Sequence, residues 1–84
     1  MDNSIQLDII SPVGTIVSQK VWKVELPGAM GRFVVLKDHA PLVTSLVEGE
    51  IVFGIREGKD GVTHILSGFA EVAGNHVTAC VEVL

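Results

Sequence analysis

The chain of 84 residues has a single cysteine, Cys80. It therefore cannot close an internal disulfide, and its cysteine usage fits a reducing compartment. Basic residues are also few: six Lys and Arg stand against ten Asp and Glu, for a formal charge of −4. They are scattered, and neutralising phosphates takes clustered Lys and Arg, so nucleic acid is not an expected partner. No apolar run approaches the roughly 20 residues that a membrane-spanning helix needs. The N-terminus, Met1-Asp2-Asn3-Ser4, has neither the basic segment nor the apolar stretch of a secretory leader. A soluble, cytoplasmic protein is the expectation. No window carries a capped apolar stripe of period 3.6, so no helix longer than one turn is expected.

Apolar residues, by contrast, are abundant. They make up 48% of the chain. Adding the nine glycines gives roughly 59%, on a scale where soluble domains average about 45–50%. A chain of this length makes one domain, here residues 1–84, and buries only about 60–65% of its unfolded surface. Either some apolar surface stays outside, where a patch signals a partner, or the core is a very compact β core.

Alternation of period two organises that apolar content. Ile5, Leu7 and Ile9 share one face, with Gln6 and Asp8 opposite. Trp22, Val24 and Leu26 alternate with Lys23 and Glu25. Ile51, Phe53 and Ile55 alternate with Val52, Gly54 and Arg56, and Val77, Ala79, Val81 and Val83 with Thr78, Cys80 and Glu82. Such segments of four to eight residues, rich in Val and Ile, read as strands. Turn chemistry separates them. Ser11-Pro12-Val13-Gly14 suits a type I turn, Pro27-Gly28 with Gly31 reads as a wider loop, Glu57 to Gly61 as a hairpin loop and Gly74-Asn75 as a tight turn. The expected fold is all-β: a two-layer antiparallel β-sandwich or flattened barrel of about 8–10 short strands. Leu7, Ile9, Trp22, Val24, Val77, Ala79 and Val81 are expected in its core.

Residues that could carry chemistry are present but poorly arranged for it. Asp38-His39 could pair an orienting acid with a base, yet adjacent residues on a turn rarely face one another. Ser11, Ser45 and Ser67 are available nucleophiles, and none sits in a G-x-S-x-G elbow. Cys80 lies between Ala79 and Val81 with no sequence-adjacent cation to lower its pKa, as expected of a small, partly buried strand residue. His39, His64 and His76 are 25 and 12 residues apart and form no close ligand pair, so no metal is expected. Neither Gly58-Lys59-Asp60-Gly61 nor Gly28 to Gly31 has phosphate-loop spacing or a following helix. These glycines read as backbone devices, and no cofactor is expected.

Five pieces in order and spacing carry a resemblance. "LDIISPVGTIVS" (7–18) looks like an opening strand, turn and second strand. "VELPGAMGRFVVLKDHAPLVTSLVEGEI" (24–51) holds an L-P-G-x-x-G loop, a strand, an H-A-P-L turn and a strand start. "ILSGFAEV" (65–72) and "NHVTACVE" (75–82) look like a closing hairpin. Together they resemble the N-terminal β-sandwich domain of epsilon subunits of F-type ATP synthases.

The resemblance implies a non-catalytic central-stalk subunit that binds gamma, rests on the c ring and helps couple proton transport to ATP synthesis. It would sit peripherally on the cytoplasmic face of the bacterial plasma membrane, held there by the complex. By the same resemblance, Ser11, His39, Ala40, Pro41, Leu42 and Thr44 would face gamma, and Gly28, Ala29, Met30, Gly31 and Arg32 would face the c ring. The family usually carries a Glu beside the last Gly of that loop; Met30 and Arg32 stand there instead, so a basic or apolar contact would replace an acidic one. Pro41 restricts Ala40 and stiffens the turn, which suits a docking loop; the plainer reading is that His39 and Pro41 only stabilise a connection. Many family members continue into a helical hairpin, and this chain stops at Leu84. Neither nucleotide binding nor inhibition by helix insertion is therefore expected of it. The alternatives are a small β-barrel module for a peptide or small ligand, unrelated to ATP synthase, and a small β enzyme using Asp38 and His39.

Overall fold

The computed structural model describes residues 3–84. Met1 and Asp2, which begin the segment read above as lacking a leader, lie outside the described residues. Nine strands follow one another: β1 (Ile5–Ser11), β2 (Gly14–Val21), β3 (Lys23–Gly28), β4 (Gly31–Val35), β5 (Leu42–Leu46), β6 (Gly49–Arg56), β7 (Lys59–Ile65), β8 (Ser67–Ala73) and β9 (His76–Glu82). No helix occurs among the described residues. Because side chains alternate across a strand, each strand turns one row inward. In β1 that row is Ile5, Leu7 and Ile9, and in β9 it is Val77, Ala79 and Val81, all buried.

The strands form one hydrogen-bonded path, β2-β1-β9-β8-β5-β3-β6-β7, with β4 paired to the other side of β3. Every pairing is antiparallel except that of β1 with β9, where Leu7 lies beside Val77 and Ile9 beside Ala79. The path folds over at β5 and β3, whose only ladder pair is Gly28 with Leu46. The layers are thus β2-β1-β9-β8-β5 and β4-β3-β6-β7, with the apolar cluster between them. The architecture is the expected β-sandwich.

The turns are tighter than their composition suggested. Gly28 pairs directly with Gly31, so Ala29 and Met30 alone make the bend where a wider loop was expected. The left-handed step falls on Gly31 (φ 125°), as it falls on Gly14 (φ 140°) after Pro12-Val13. A backbone of that sign is open to glycine at little cost. Glu57-Gly58 is likewise a two-residue turn, and Lys59, Asp60 and Gly61 belong to β7 instead of to a loop. Gly74 and Asn75 have φ of 58° and 61°, the signs of a type I′ hairpin turn.

Trp22 departs from its expected place in the core. It is 42% exposed, while Val24 and Leu26 beyond it are fully buried. The period-two face breaks there because Trp22 lies between β2 and β3, where the chain changes layer and the Trp22 N–H donates to the Gly54 carbonyl (2.9 Å). Val21 takes the inward place. The Trp22 indole lies instead over Gly54, which has no room for a side chain beneath it. Lys23 Nζ stands 5.0 Å from the ring centroid, within cation–π range.

Val81, 3% exposed, gives a test of the packing. Val81→Asp should cost several kcal/mol (about 3 or more), because it buries a carboxylate without a partner. Urea unfolding followed by circular dichroism will measure it, and Val81→Ala, which leaves a small cavity but buries no charge, should cost less.

Candidate docking surfaces

The connection from β4 to β5 begins with a turn. His39 N–H donates to the Leu36 carbonyl at 3.2 Å, closing a four-residue bend over Leu36 to His39. Asp38, at its third position, has φ 67°, the sign a type II turn requires there and one that usually selects glycine. Two hydrogen bonds hold it. Its N–H donates to Asn75 Oδ1 at 2.6 Å, and Asn75 Nδ2 donates to Asp38 Oδ1 at 3.2 Å.

The histidine is turned the other way. His39 Nδ1 donates to the Ala40 carbonyl at 2.7 Å. The Asp38 carboxylate and the His39 ring are therefore bonded to different groups and form no acid–base pair. Ala40 and Pro41 are exposed, and His39 is half-buried.

The β3–β4 hairpin meets β5 at its other end, where Gly28 pairs with Leu46. Ala29 N–H donates to the Ser45 carbonyl (2.9 Å), laying the bend along β5. Met30 at its tip is 96% exposed. Arg32 Nε lies 3.6 Å from Glu25 Oε1, so this charge is partly shared within the hairpin. Met30, Gly31, Arg32 and Phe33 line one cleft with Leu42 and Thr44, of about 320 Å³. Residues assigned from sequence to two partners thus meet in one place.

Ser11 does not join them. Its hydroxyl accepts from Val13 N–H (3.3 Å) and donates to the Gly14 carbonyl (3.2 Å), which holds the β1–β2 turn. From β1 to β5 the path crosses β9 and β8, three strand spacings or roughly 14 Å. Between them lies an outward face that sequence reasoning missed. Ser45, Phe69, Cys80 and Ile10 stand in register across β5, β8, β9 and β1. Phe69 is 51% exposed, and Val43 on the same face is 69% exposed. A cleft of about 510 Å³ between Ile10, Ser11, Pro12, Phe69 and Cys80 opens there. A signal was available: on β8 the small Ala70 shares the inward phase with Val72, which leaves the large Phe69 outward.

Charged groups outside these surfaces pair locally. Among the described residues, no group of His, Cys, Asp and Glu is arranged to hold a metal ion. His64 Nε2 lies 3.8 Å from Glu48, and His76 Nε2 lies 2.6 Å from Asp8 Oδ2. The Asp8 carboxyl sits below its ordinary value of 3.8, chiefly because the Ser18 hydroxyl donates to it, with His76 and Gln6 adding to the effect.

Residues 4–84 match the family model for the ATP synthase delta/epsilon chain, β-sandwich domain. The chain belongs to this family. Membership removes the alternative of a β-barrel module unrelated to ATP synthase. The sequence is 42% identical over 82 residues to the ATP synthase epsilon chain of Lawsonia intracellularis, covering 98% of this chain and 61% of that one. It is 35% identical over 81 residues to the epsilon chain of Chlorobaculum tepidum, covering 96% of this chain and 92% of that one. Against curated relatives such as those of Lawsonia and Desulfosudis oleivorans, the chain spans about three fifths of their length.

The fold recurs in a chain from the cryo-EM structure of Euglena gracilis mitochondrial ATP synthase, OSCP/F1/c-ring in rotational state 1. The TM-score is 0.87 at 23% identity, over 96% of this chain and 52% of that one. A chain from the Tetrahymena thermophila mitochondrial ATP synthase, central stalk/c-ring, gives 0.76 at 10% identity, over 93% and 63%.

The Asp8 contacts of this family member predict a pH dependence. A carboxylate held below its unfolded value contributes stability that is fully present above that value and is lost as pH falls through the folded one. Unfolding free energy should therefore fall as pH drops from about 5 towards 2.5. In Asp8→Asn this part of the slope should flatten. Urea unfolding across that range reads both.

Proposed function

We propose that the chain is the β-sandwich domain of a central-stalk subunit of an F-type ATP synthase. In this reading residues 1–84 form one non-catalytic unit. It docks on the gamma subunit through His39, Ala40, Pro41, Leu42 and Thr44, with Ser11 at the far edge of the footprint. The hairpin Gly28, Ala29, Met30, Gly31 and Arg32 rests on the c ring. The unit helps couple proton transport to ATP synthesis and is peripheral to the cytoplasmic face of a bacterial plasma membrane.

One observation supports this reading above the others: Leu42 and Thr44 of β5, which follow the pinned 36–41 turn, line a single cleft with the exposed Met30 hairpin. A body that transmits torque between two partners needs contacts that do not yield, and a stiff loop loses less freedom on docking. Contacts with gamma and with the c ring would then share one rigid edge. The gamma footprint would reach Ser11 by crossing the Phe69 face. A standard interface of about 800 Å² per partner spans that width. At the hairpin tip Met30 supplies an apolar contact and Arg32 a basic one, where relatives usually carry an acid.

Two experiments separate the contacts. Thr44→Glu and Ala40→Trp should each weaken binding of the gamma subunit at least tenfold, with circular dichroism and unfolding midpoint unchanged. Unchanged affinity in both would remove these residues from the interface. In the assembled complex, Met30→Cys should form a disulfide with a cysteine placed in the polar loop of the c subunit, and Val62→Cys, exposed on β7, should not.

A further inference from the structure

We infer that Asn75 is the positioning residue of the docking loop: its side chain pre-organises the 36–41 turn that the gamma reading uses, and the inference rests on that reading. Asn75 belongs to the β8–β9 turn, 37 residues from Asp38 in sequence. As a turn residue it is already accounted for, since asparagine tolerates its φ of 61°. Its backbone carbonyl is also engaged, accepting from Gln6 N–H at 2.9 Å. The turn's own closure does not require the side chain. The side chain bonds Asp38 instead, by one acceptor and one donor.

Asp38 needs that support. It holds a left-handed φ of 67° at a turn position where glycine would sit without strain. It is exposed, so water competes for its N–H when no fixed acceptor is present. Half-buried Asn75, mounted on the turn of two paired strands and tied to β1, is a fixed acceptor. The bond thus transfers the rigidity of the β8–β9–β1 layer to the loop ahead of Pro41. Without it, the Lys37–Asp38 backbone would sample other conformations, and the partner would have to order it on binding.

Asn75→Gly tests this, because glycine accepts the left-handed turn and removes only the side chain. Exchange of the Asp38 amide should accelerate, whatever the partner does. The affinity of the full chain for the gamma subunit should fall about tenfold, the factor that ordering one backbone residue on binding imposes. In the Asp38→Gly background, which keeps the N–H to Asn75 Oδ1 bond, Asn75→Gly should again accelerate exchange of the residue-38 amide and weaken binding. A loss of affinity in Asn75→Gly without faster exchange of that amide would mean that Asn75 touches gamma directly and would overturn the inference. So would unchanged affinity in Asn75→Gly while Thr44→Glu still weakens binding, an outcome that leaves the docking surface standing. If the Asp38 amide accelerates and neither Asn75→Gly nor Thr44→Glu alters binding, the gamma-docking reading itself has failed.

Discussion

Sixteen apolar side chains, contributed by all nine strands, form one cluster, and no polar or charged side chain is buried with them among the described residues. This dry interior is the constraint on which the rest of the structure depends. A small domain has little area to bury, so an inward position given to a polar group would cost more than a hydrogen bond returns. All polar function is consequently pushed to the outward rows and to the turns. Asp8, His76, Glu25 and Arg32 pair there in contact with water.

Folding a single sheet path onto itself also needs close approach where the layers meet and bend. Three places in the fold provide it by omitting a side chain. Gly54 lies under the Trp22 indole, Gly61 under the Phe53 ring and Gly28 under Phe33. The pairing of bare backbone with an aromatic ring covers the backbone without a methyl group in the way. At Gly28 the same device brings the β3–β4 bend against β5, so a requirement of the sandwich corner also places Met30 beside Thr44. Packing and candidate site are not independent here.

The candidate surfaces differ in how they are held. The Met30 hairpin and the β5 residues are fixed by ladder hydrogen bonds, which any sheet of this topology would form. The 36–41 connection has no ladder. It depends on a turn hydrogen bond, on the restricted backbone at Pro41 and on the Asp38–Asn75 pair. A substitution in that pair therefore acts on the loop with little effect on the core, whereas a substitution at Val81 acts on the whole fold.

The strands were legible in the sequence because burial on one face imprints a period of two, as Leu7, Ile9, Val77, Ala79 and Val81 show. Ser11-Pro12-Val13-Gly14 and Gly74-Asn75 were legible too, because their backbone angles admit few residue types. The L-P-G-x-x-G and H-A-P-L pieces carried the family. Local pattern could not reveal where the path changes layer, and so Trp22 read as core when a hydrogen bond to Gly54 sets it outside. Nor could it show that Gly28 meets Gly31 directly, that Ser11 lies across two strands from Thr44, or that Phe69 stands on an open face. Pairing across the chain decided these. Alternation tells which row of a strand faces inward, but which strand lies alongside, and hence that Asn75 reaches Asp38, follows only from how nine rows together enclose one core.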